Sequence, residues 1–433
     1  MLKKIFLATK IYIVTHPRYD KALSWSKLIF ITGAAQLVVQ AVGFISGILV
    51  IRLLPVEEYA LYTIANTMLG TMVILSDGGI STGVMAQGGK VWQDKQKLGA
   101  VLATGLDLRR KFAGWALVVS IPILAYLLLH NGANWIAIIL ITASLIPAFY
   151  ASLSDSLLEI PVKLHQSITP LQRNQVEVGI GRLALTGITL FAFPWAFFAI
   201  IANGVPRIWG NVKLRKITDR FIDKEQTADA EVKKEIVKIV KRTLPGAIYF
   251  AFSGQISIWI ISIFGHTSSI AQIGALSRVS MLLTVFSVSI GTLVIPRFAR
   301  FNGSMKQVFK KYIHILCSVS LLMCGIFAMV YIFSSQILWL LGGNYAALHY
   351  ELLLCILCAC LRFVVDVAYS LYVSKGWILS PITNILSNII PLIVGCFLFN
   401  ISTLLGVLYL NIFMTVILLL LHTCYGGIKI FRS

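Results

Sequence analysis

Long apolar stretches separated by short polar ones recur along the whole chain. Most hold roughly 17 or more residues, enough for a helix to cross a hydrocarbon layer of about 30 Å. Because the bilayer offers no water to free backbone groups, and because the stretches do not alternate as barrel strands do, each is predicted to be an α-helix. The pattern predicts about twelve spans: 28–51, 59–77, 112–129, 135–151, 177–193, 195–210, 243–264, 270–295, 313–334, 349–374, 378–399 and 404–423.

One polar stretch is much longer than the other connections and divides the spans into six plus six. Its later part, Glu231 to Arg242, has apolar and charged residues at helical spacing, which predicts a helix on the membrane surface. The weakest boundary is the Phe193-Pro194-Trp195 turn between the fifth and sixth spans. The predicted organisation is an interfacial N-terminal segment 1–27, a six-helix lobe 28–210, a charged cytoplasmic linker 211–242, a second six-helix lobe 243–423 and a cytoplasmic tail 424–433.

Composition and charge agree with an all-α polytopic membrane protein. The 433 residues are 58% hydrophobic and 12% charged, whereas soluble domains carry about 25% charged residues. With twelve spans, 33 of the 37 Lys and Arg residues fall on one side, and Arg52 alone falls in the loops opposite. The positive-inside rule then places both termini in the cytoplasm. The net charge of +20 reflects this topology and contact with anionic membrane lipids; no compact basic domain exists to bind nucleic acid.

Sequence features of an enzyme are missing from the pattern. The outer loops are short, no phosphate-binding Gly-rich motif occurs, and no Ser/His/Asp cluster is evident, so we expect no catalytic residue and no cofactor. The nearest approach to a metal motif is Cys355-x-x-Cys358-x-Cys360. In a lipid-embedded helix without an accompanying His, these cysteines are expected to behave as small apolar side chains, so no metal is expected.

Charged residues inside spans are costly, about 2.5–3.5 kcal/mol each on insertion scales, and they therefore mark candidate sites. Arg362 and Asp366 lie one turn apart in the tenth span. They are either part of a transport cavity, with Asp366 as a coupling acid, or an intrahelical ion pair that stabilises the lobe. Arg278 in the eighth span has no acid in its own helix, so it either reaches the outer surface or faces a wet cavity that admits an anionic group. Arg182, near the inner end of its span, is expected to reach the inner surface.

Uncharged polar side chains extend this set of candidates. The second span carries Asn66 and, at its inner end, the candidate coupling acid Asp77. Gln36 and Gln40 lie one turn apart in the first span, and Gln255 lies midway along the seventh. Hydrogen bonding between helices explains each of them as well as substrate binding does. Together they indicate a wet interior.

Four short stretches go beyond composition. Arg52-Leu-Leu-Pro-Val-Glu-Glu-Tyr-Ala-Leu-Tyr62 and Leu75-Ser-Asp-Gly-Gly-Ile80 resemble the first-loop and second-span signature of polysaccharide flippases. Gly274-Ala-Leu-Ser-Arg278 and Pro296-Arg297 resemble the eighth-span segment and its exit. These flippases form one family of the multidrug/oligosaccharidyl-lipid/polysaccharide exporter superfamily.

The resemblance implies a function. The chain would translocate undecaprenyl-pyrophosphate-linked oligosaccharide units across the bacterial inner membrane by alternating access, for O-antigen, capsule or exopolysaccharide assembly. Glycosyltransferases and a glycan polymerase would be its possible partners. Of the candidates, Arg278 best fits contact with the pyrophosphate in a cavity between the lobes, and Arg362 fits less well.

Three alternatives stay open at this point. A cation-coupled multidrug exporter of the same superfamily would be expected to have acids, not a lone Arg, in its cavity. A major-facilitator transporter also has six plus six spans, but its loop motif is not matched by Gly89 to Gly99. A membrane glycosyltransferase or glycan polymerase is disfavoured by the short outer loops.

Overall fold

Helices make up the described part of the molecule, and no strand occurs there. The computed structural model describes residues 37–299, 301, 303–375, 377 and 379–432. The N-terminal segment 1–27 and the candidate Gln36 lie outside the described residues. The helices are α1 (Leu37–Leu53), α2 (Val56–Asp77), α3 (Ile80–Val91), α4 (Lys95–His130), α5 (Trp135–Leu164), α6 (Ile168–Ala192), α7 (Ala196–Thr218), α8 (Ala230–Ser253), α9 (Ile256–Phe264), α10 (Thr267–Ser280), α11 (Thr284–Leu293), α12 (Ile295–Ala299), α13 (Met305–Ile332), α14 (Ser334–Leu341), α15 (His349–Ser374), α16 (Pro381–Leu398) and α17 (Leu404–Arg432).

The predicted all-α polytopic fold is confirmed. If α8 and α9 count as one broken helix, and α10 and α11 as another, one helical segment corresponds to each predicted span. By length and hydropathy alone, seven of the described helices can cross a membrane, or eight if the bent pair α8–α9 is one span. The apolar helices α1 and α16 are shorter. The cytoplasmic position of the termini stays a prediction, and "inner" and "outer" below refer to it.

Several helices are longer than the apolar stretches that predicted them, mostly at their inner ends. Helix α4 begins at Lys95 rather than 112, and α5 continues to Leu164 rather than 151. A helix does not need to end where the hydrocarbon does, because its backbone hydrogen bonds continue into water. Its true end is set by a cap instead: the side chain of Asp94 accepts hydrogen bonds from the backbone of Gln96 and Lys97 at 3.0 and 3.1 Å.

The weakest predicted boundary is confirmed. Helix α6 ends at Ala192 and α7 begins at Ala196, with Pro194 between them. Proline has no N–H to donate and disfavours helical backbone in the residue before it, so the helix stops there. The first backbone N–H of α7, that of Ala196, donates to Glu58 Oε2 at 2.7 Å. This hydrogen bond joins the start of α7 to α2.

The charged stretch 211–242 differs from the prediction in its local structure. Helix α7 continues to Thr218, and α8 begins at Ala230, so only residues 219–229 connect them. The later part of the stretch is the first half of α8 and runs directly into the seventh span. Its apolar face is covered: Ile236 and Val240 are buried in a cluster with α3 and α4. The location of 211–242 in the cytoplasm stays a prediction.

The two lobes meet along α2 and α10, and along α8, which packs on α2, α3 and α4. Close approach needs glycine at two places. A Cβ at Gly274 would lie 2.8 Å from Thr63 Oγ1, too close for any other residue without movement. At the inner end of α2, Gly79 has φ 98° and touches Thr243 of α8, whose hydroxyl donates to the backbone oxygen of Gly78 at 2.9 Å.

Candidate functional site

Arg278 lies between the two lobes. It is carried by α10 of the C-terminal lobe, and its guanidinium interacts with the hydroxyls of Tyr59 and Tyr62 on α2 of the N-terminal lobe. Gly47 of α1 lies against the side chain, since a Cβ there would be in van der Waals contact with Arg278 Cδ at 3.4 Å. Arg278 is half-buried, and Tyr59 is 1% exposed. The side chain therefore faces the inside of the protein and does not reach for the outer surface.

A small pocket in the N-terminal lobe opens beside this arginine. Its volume is about 80 Å³, and it lies between α2, α5, α6 and α7. Its polar lining includes Tyr62, Asn66, Arg182, Asn203 and Arg207. The amide of Asn203 donates to the hydroxyl of Tyr62 at 3.3 Å, so the ring that contacts Arg278 also forms part of the pocket wall.

Arg182 departs from its expected position at the membrane surface. It lines the pocket, and its Nε is buried with no hydrogen-bond partner among the described residues. It lies within electrostatic reach of Arg207 and Arg278. Arg207 has a partner: its Nε lies 3.2 Å from Asp155 Oδ2. Arg207 is a contributor that sequence reasoning missed, because its place at the end of a span looked like a loop position.

Three guanidinium groups thus share one region with a single carboxylate. In the part of the chain that the structure describes, Asp155 is the acid in contact with this group, and Asn211 donates to its other oxygen at 2.6 Å. Among the described residues, neither Arg182 nor Arg278 forms an ion pair with a carboxylate. Buried charges are normally paired, so a region with an excess of two positive charges is suited to an anion.

Two uncharged residues predicted for the site in the N-terminal lobe differ in their relation to this pocket. Asn66 lines the arginine pocket with an exposed side chain. Gln40 is half-buried on α1 and is not part of the pocket lining.

Asp77, the candidate coupling acid at the inner end of α2, pairs with Arg109 of α4, which is 3% exposed. Arg109 also donates to Ser81 at 2.8 Å, and to Ser156 and the backbone oxygen of Leu153 on α5, each at 2.5 Å. This network joins α2, α3, α4 and α5.

The remaining predicted residues lie in a second, larger cavity inside the C-terminal lobe. Its volume is about 490 Å³, and Gln255, Arg362 and Asp366 contribute to its wall. Arg362 Nε and Asp366 Oδ1 are 3.3 Å apart, so the intrahelical pair suggested by their spacing is formed. Arg278 is not part of this wall. The structure therefore divides the predicted site into a cationic part and a charge-balanced part.

The cysteine motif is spread over different neighbours. Cys355 lies 3.5 Å from Ser280 Oγ, and Cys358 lies 3.6 Å from Thr415 Oγ1. Cys360 approaches the backbone oxygen of Met323 instead. Among the described residues, no three His, Cys, Asp or Glu side chains are grouped as a metal site would require.

The outer ends of the lobes are in contact. Arg52 Nε, at the end of α1, donates to the backbone oxygen of Leu340 at 2.9 Å, and its guanidinium lies 4.9 Å from the ring of Trp339 on α14. Nearby, the amide of Asn131 donates to the backbone oxygen of Ser262 at 3.1 Å. We call these contacts of Arg52 and Asn131 the outer clasp. While they persist, the outer ends of the lobes cannot separate.

The fold is that of known transporters. No family model and no curated protein matches the chain, but solved structures do. The lipid II flippase MurJ in an inward closed conformation aligns with TM-score 0.73 and 13% identity, covering 93% of this chain and 90% of that one. A multidrug resistance MATE transporter of the MOP superfamily aligns in its inward-facing conformation with TM-score 0.68 and 13% identity, covering 91% and 95%. In its outward-facing conformation the TM-score is 0.63, again at 13% identity, covering 94% and 95%.

Proposed function

We propose that the protein is a flippase for lipid-linked oligosaccharides of the undecaprenyl-pyrophosphate type, and that Arg278 binds the pyrophosphate together with Arg182 and Arg207. The observation that carries this proposal is the charge excess where Arg278 meets the N-terminal lobe: three guanidinium groups share their surroundings with one carboxylate, Asp155. A pyrophosphate diester supplies about two negative charges, which matches the excess. Its oxygens also suit the planar fork of arginine.

The position of Arg278 suits a residue that acts during transport. It belongs to one lobe and touches tyrosines of the other, so relative movement of the lobes changes its surroundings. The tyrosine hydroxyls are uncharged, so a substrate that replaces them as the partner of Arg278 does not break an ion pair. Alternating access would then carry the head group across while the prenyl chain stays in lipid, as the resemblance implies.

The main rival, a cation-coupled multidrug exporter, has the same fold. The solved structures that align with this chain include both multidrug transporters and a lipid II flippase, so the fold does not separate the two functions. The arginine pocket does favour one of them, because a cluster of guanidinium groups repels a cationic drug. Within the described residues, Asp155, which contacts Arg207 of the pocket, and Asp366, which lines the larger cavity, are both paired with arginine.

A membrane glycosyltransferase or glycan polymerase is the less favoured alternative. Apart from residues 333–348, the outer connections between the described helices hold two to five residues: 54–55, 131–134, 193–195, 265–266 and 399–403. They leave little chain for catalytic groups. We further propose the bacterial inner membrane as the location, glycosyltransferases and a glycan polymerase as partners, and Asp366 as the acid to test first for coupling.

The proposal is tested by binding and flipping measured on purified full-length protein. In lipid nanodiscs, wild type should bind undecaprenyl pyrophosphate, bind the monophosphate more weakly, and not bind the neutral prenol. Replacing Arg278 by Gln removes the charge at similar length and should weaken pyrophosphate binding about 10- to 100-fold, the range for hydrogen bonds to charged groups. Arg278→Lys keeps the charge without the fork and should be intermediate. Exposed Arg110, outside the pocket, provides the matched control Arg110→Gln.

The same variants are then tested in proteoliposomes with a fluorescent prenyl-pyrophosphate-linked sugar and, separately, with ethidium under a proton or sodium gradient. Flipping of the lipid by wild type and its loss in Arg278→Gln support the proposal. Gradient-driven ethidium transport without binding of prenyl pyrophosphate would assign the protein to the multidrug exporters. Normal flipping by Arg278→Gln would leave the function in place and remove Arg278 from the site.

A further inference from the structure

The cavity of the C-terminal lobe has features that pyrophosphate binding does not use. It lies between the α8–α9 junction and helices α10, α15, α16 and α17, and its volume of about 490 Å³ falls in the range of small-ligand sites. Helix α16 packs mainly on α17, so its other side leaves the cavity open. The α8–α9 pair bends by 52° at Gly254 and Gln255, and both of these residues line the cavity.

The cavity is wet at mid-membrane depth. Arg362 lies about 20 Å along α15, a helix about 39 Å long, which places it near the middle of the span. Its side chain is 48% exposed, and that of Asp366 is 62% exposed. An ion pair this open would be strongly disfavoured in hydrocarbon, so the space beside it must hold water or polar groups.

Neutral hydrogen-bonding groups dominate the rest of the wall. Within the described residues, the side-chain amides of Gln255 and Asn384 make no hydrogen bond, although both line the cavity. Asn411 and Ser257 bond to each other at 2.8 Å, and the amide of Asn388 donates to the backbone oxygen of Asn384 at 2.8 Å. Amides left without partners inside a membrane protein are costly, so these must be satisfied by water or by a ligand.

The charge balance of the cavity indicates what kind of ligand it fits. Arg362 and Asp366 neutralise each other, and the remaining polar lining consists of amides, hydroxyls and thiols. His422, at the inner end, is already bonded to the hydroxyl of Tyr372 at 2.8 Å. Such a wall selects neither an anion nor a cation. It offers many donors and acceptors, with the rings of Tyr249 and Tyr369 beside them, to a neutral molecule rich in hydroxyl groups.

We propose that this cavity binds sugar units of the translocated lipid, with Gln255 and Asn384 as the principal amide contacts. The proposal rests on the flippase function proposed above and assigns the neutral part of the same substrate. The geometry is compatible, because α10 separates the two places: Ser277 and Ser280 line the cavity, and Arg278 between them faces α2. The distance across one helix is about 10 Å. A glycan attached to a pyrophosphate held by Arg278 can therefore reach the cavity with its first sugars.

Two amides allow a clean test, because no described group loses a partner when they are removed. Gln255→Ala, Asn384→Ala and the double variant are compared with wild type in nanodiscs, with exposed Gln96→Ala on α4 as the matched control. The probes are undecaprenyl pyrophosphate, a panel of undecaprenyl-pyrophosphate-linked mono- and disaccharides of hexose and N-acetylhexosamine, and the same sugars without lipid. Affinities are measured by native mass spectrometry, and melting temperatures confirm that each variant is folded.

The expected result is selective. At least one sugar-bearing lipid should bind wild type more tightly than undecaprenyl pyrophosphate without a sugar does. Each single variant should bind that ligand about 3- to 10-fold more weakly, and the double variant more weakly still. The affinity for undecaprenyl pyrophosphate without a sugar should not change. Free sugars should compete only at much higher concentration, because they lack the pyrophosphate.

Three results would overturn the inference. The first is that no sugar of the panel increases the affinity of wild type for the lipid. The second is that the variants bind the lipid with and without sugar equally more weakly. The third is that the variants bind both lipids as tightly as wild type does. Failure of wild type to bind even undecaprenyl pyrophosphate is a different outcome, since it refutes the proposed function itself. If free sugars bind wild type as tightly as the lipid-linked ones and the amide variants weaken both, the cavity is a sugar site independent of the lipid, and the link to Arg278 is wrong.

Discussion

The outer clasp makes a prediction about the balance between transport conformations. Arg52 belongs to the N-terminal lobe and donates to backbone oxygens of Trp339 and Leu340 in the other lobe. These contacts exist only while the outer ends of the lobes touch. Replacing Arg52 by Ala removes them and should favour the outward-open conformation.

The size of the shift follows from the contacts. Hydrogen bonds from a charged donor contribute about 1.5–3 kcal/mol when sheltered, but Arg52 is exposed, so about 1 kcal/mol or less for each of the two is reasonable. The contact with the Trp339 ring adds about 0.5 kcal/mol at an exposed site. A total near 2 kcal/mol changes the ratio of closed to open molecules about 30-fold.

The measurement is a distance distribution across the outer ends. Trp135 on α5 and Asn344 after α14 are exposed and lie on different lobes, so spin labels at these positions report the separation. Labels introduced through non-canonical amino acids leave the seven native cysteines in place. Double electron–electron resonance in nanodiscs should show a larger population at the longer distance in Arg52→Ala than in wild type. Arg110 is an exposed arginine outside the clasp, and Arg110→Ala should match wild type.

Two results test whether Arg52 holds the outer ends together. Arg52→Lys keeps the charge but lacks the planar fork that donates to both carbonyl groups and lies on the ring of Trp339, so its population of the longer distance should lie between those of wild type and Arg52→Ala. An unchanged distribution in Arg52→Ala would show that the Arg52 contacts of the clasp do not hold the outer end closed. In that case the α2–α10 packing at Gly274 would be the contact to test next.

Two further predictions concern the packing of the lobes. Asp77→Asn should lower the free energy of unfolding by about 2–4 kcal/mol, because it leaves buried Arg109 without its carboxylate. Asp107, which is partly exposed and pairs with Lys111, provides the control, and Asp107→Asn should change the free energy of unfolding by less than about 1 kcal/mol. Thermal unfolding in detergent compares the two variants, and a stable Asp77→Asn whose transport no longer depends on the gradient would instead support a coupling role. Gly274→Val should force α10 away from Thr63 and lower both the melting temperature and the rate of flipping. Gly114→Val is the control, because a Cβ there meets nothing within 4 Å, and it should change neither measurement much. Equal effects of the two variants would show that the packing of α10 on α2 does not need a glycine at position 274.

The positions of the membrane helices could be predicted because one physical rule dominates them. Apolar stretches must be helical in hydrocarbon, and proline between two of them marks a break, as at Pro194. Helix lengths could not be predicted in the same way, since α4 and α5 continue inward beyond the apolar stretches, and the start of α4 is set by the cap at Asp94. Helix α3 and the junction of the linker with α8 were missed because their apolar faces are covered by neighbours distant in sequence.

Long-range contacts also account for the limits of the predicted site. The Arg362–Asp366 pair was accessible to sequence reasoning because its spacing within one helix makes contact unavoidable. That Arg278 meets Tyr59 and Tyr62, and that Arg182 and Arg207 lie beside it, depends on how four other helices pack. Two signals were present. Arg182 lies inside a span with no acid three or four residues away in its helix, and Tyr59 and Tyr62 lie three residues apart on α2, so both can face the same neighbour.

The angular positions on α10 explain why the two cavities need not be independent. At about 100° per residue, Arg278 lies about 100° from Ser277 and about 160° from Ser280, so one short helix presents a charged side to the N-terminal lobe and a hydroxyl side to the C-terminal cavity. Regular α-helix ends at Ser280, where a 3₁₀ turn begins. Any movement of α10 relative to α2 therefore moves Arg278 away from its tyrosines and shifts the cavity wall at the same time. A substrate bound on both sides of α10 would feel both changes, which would couple release of the head group to release of the sugars.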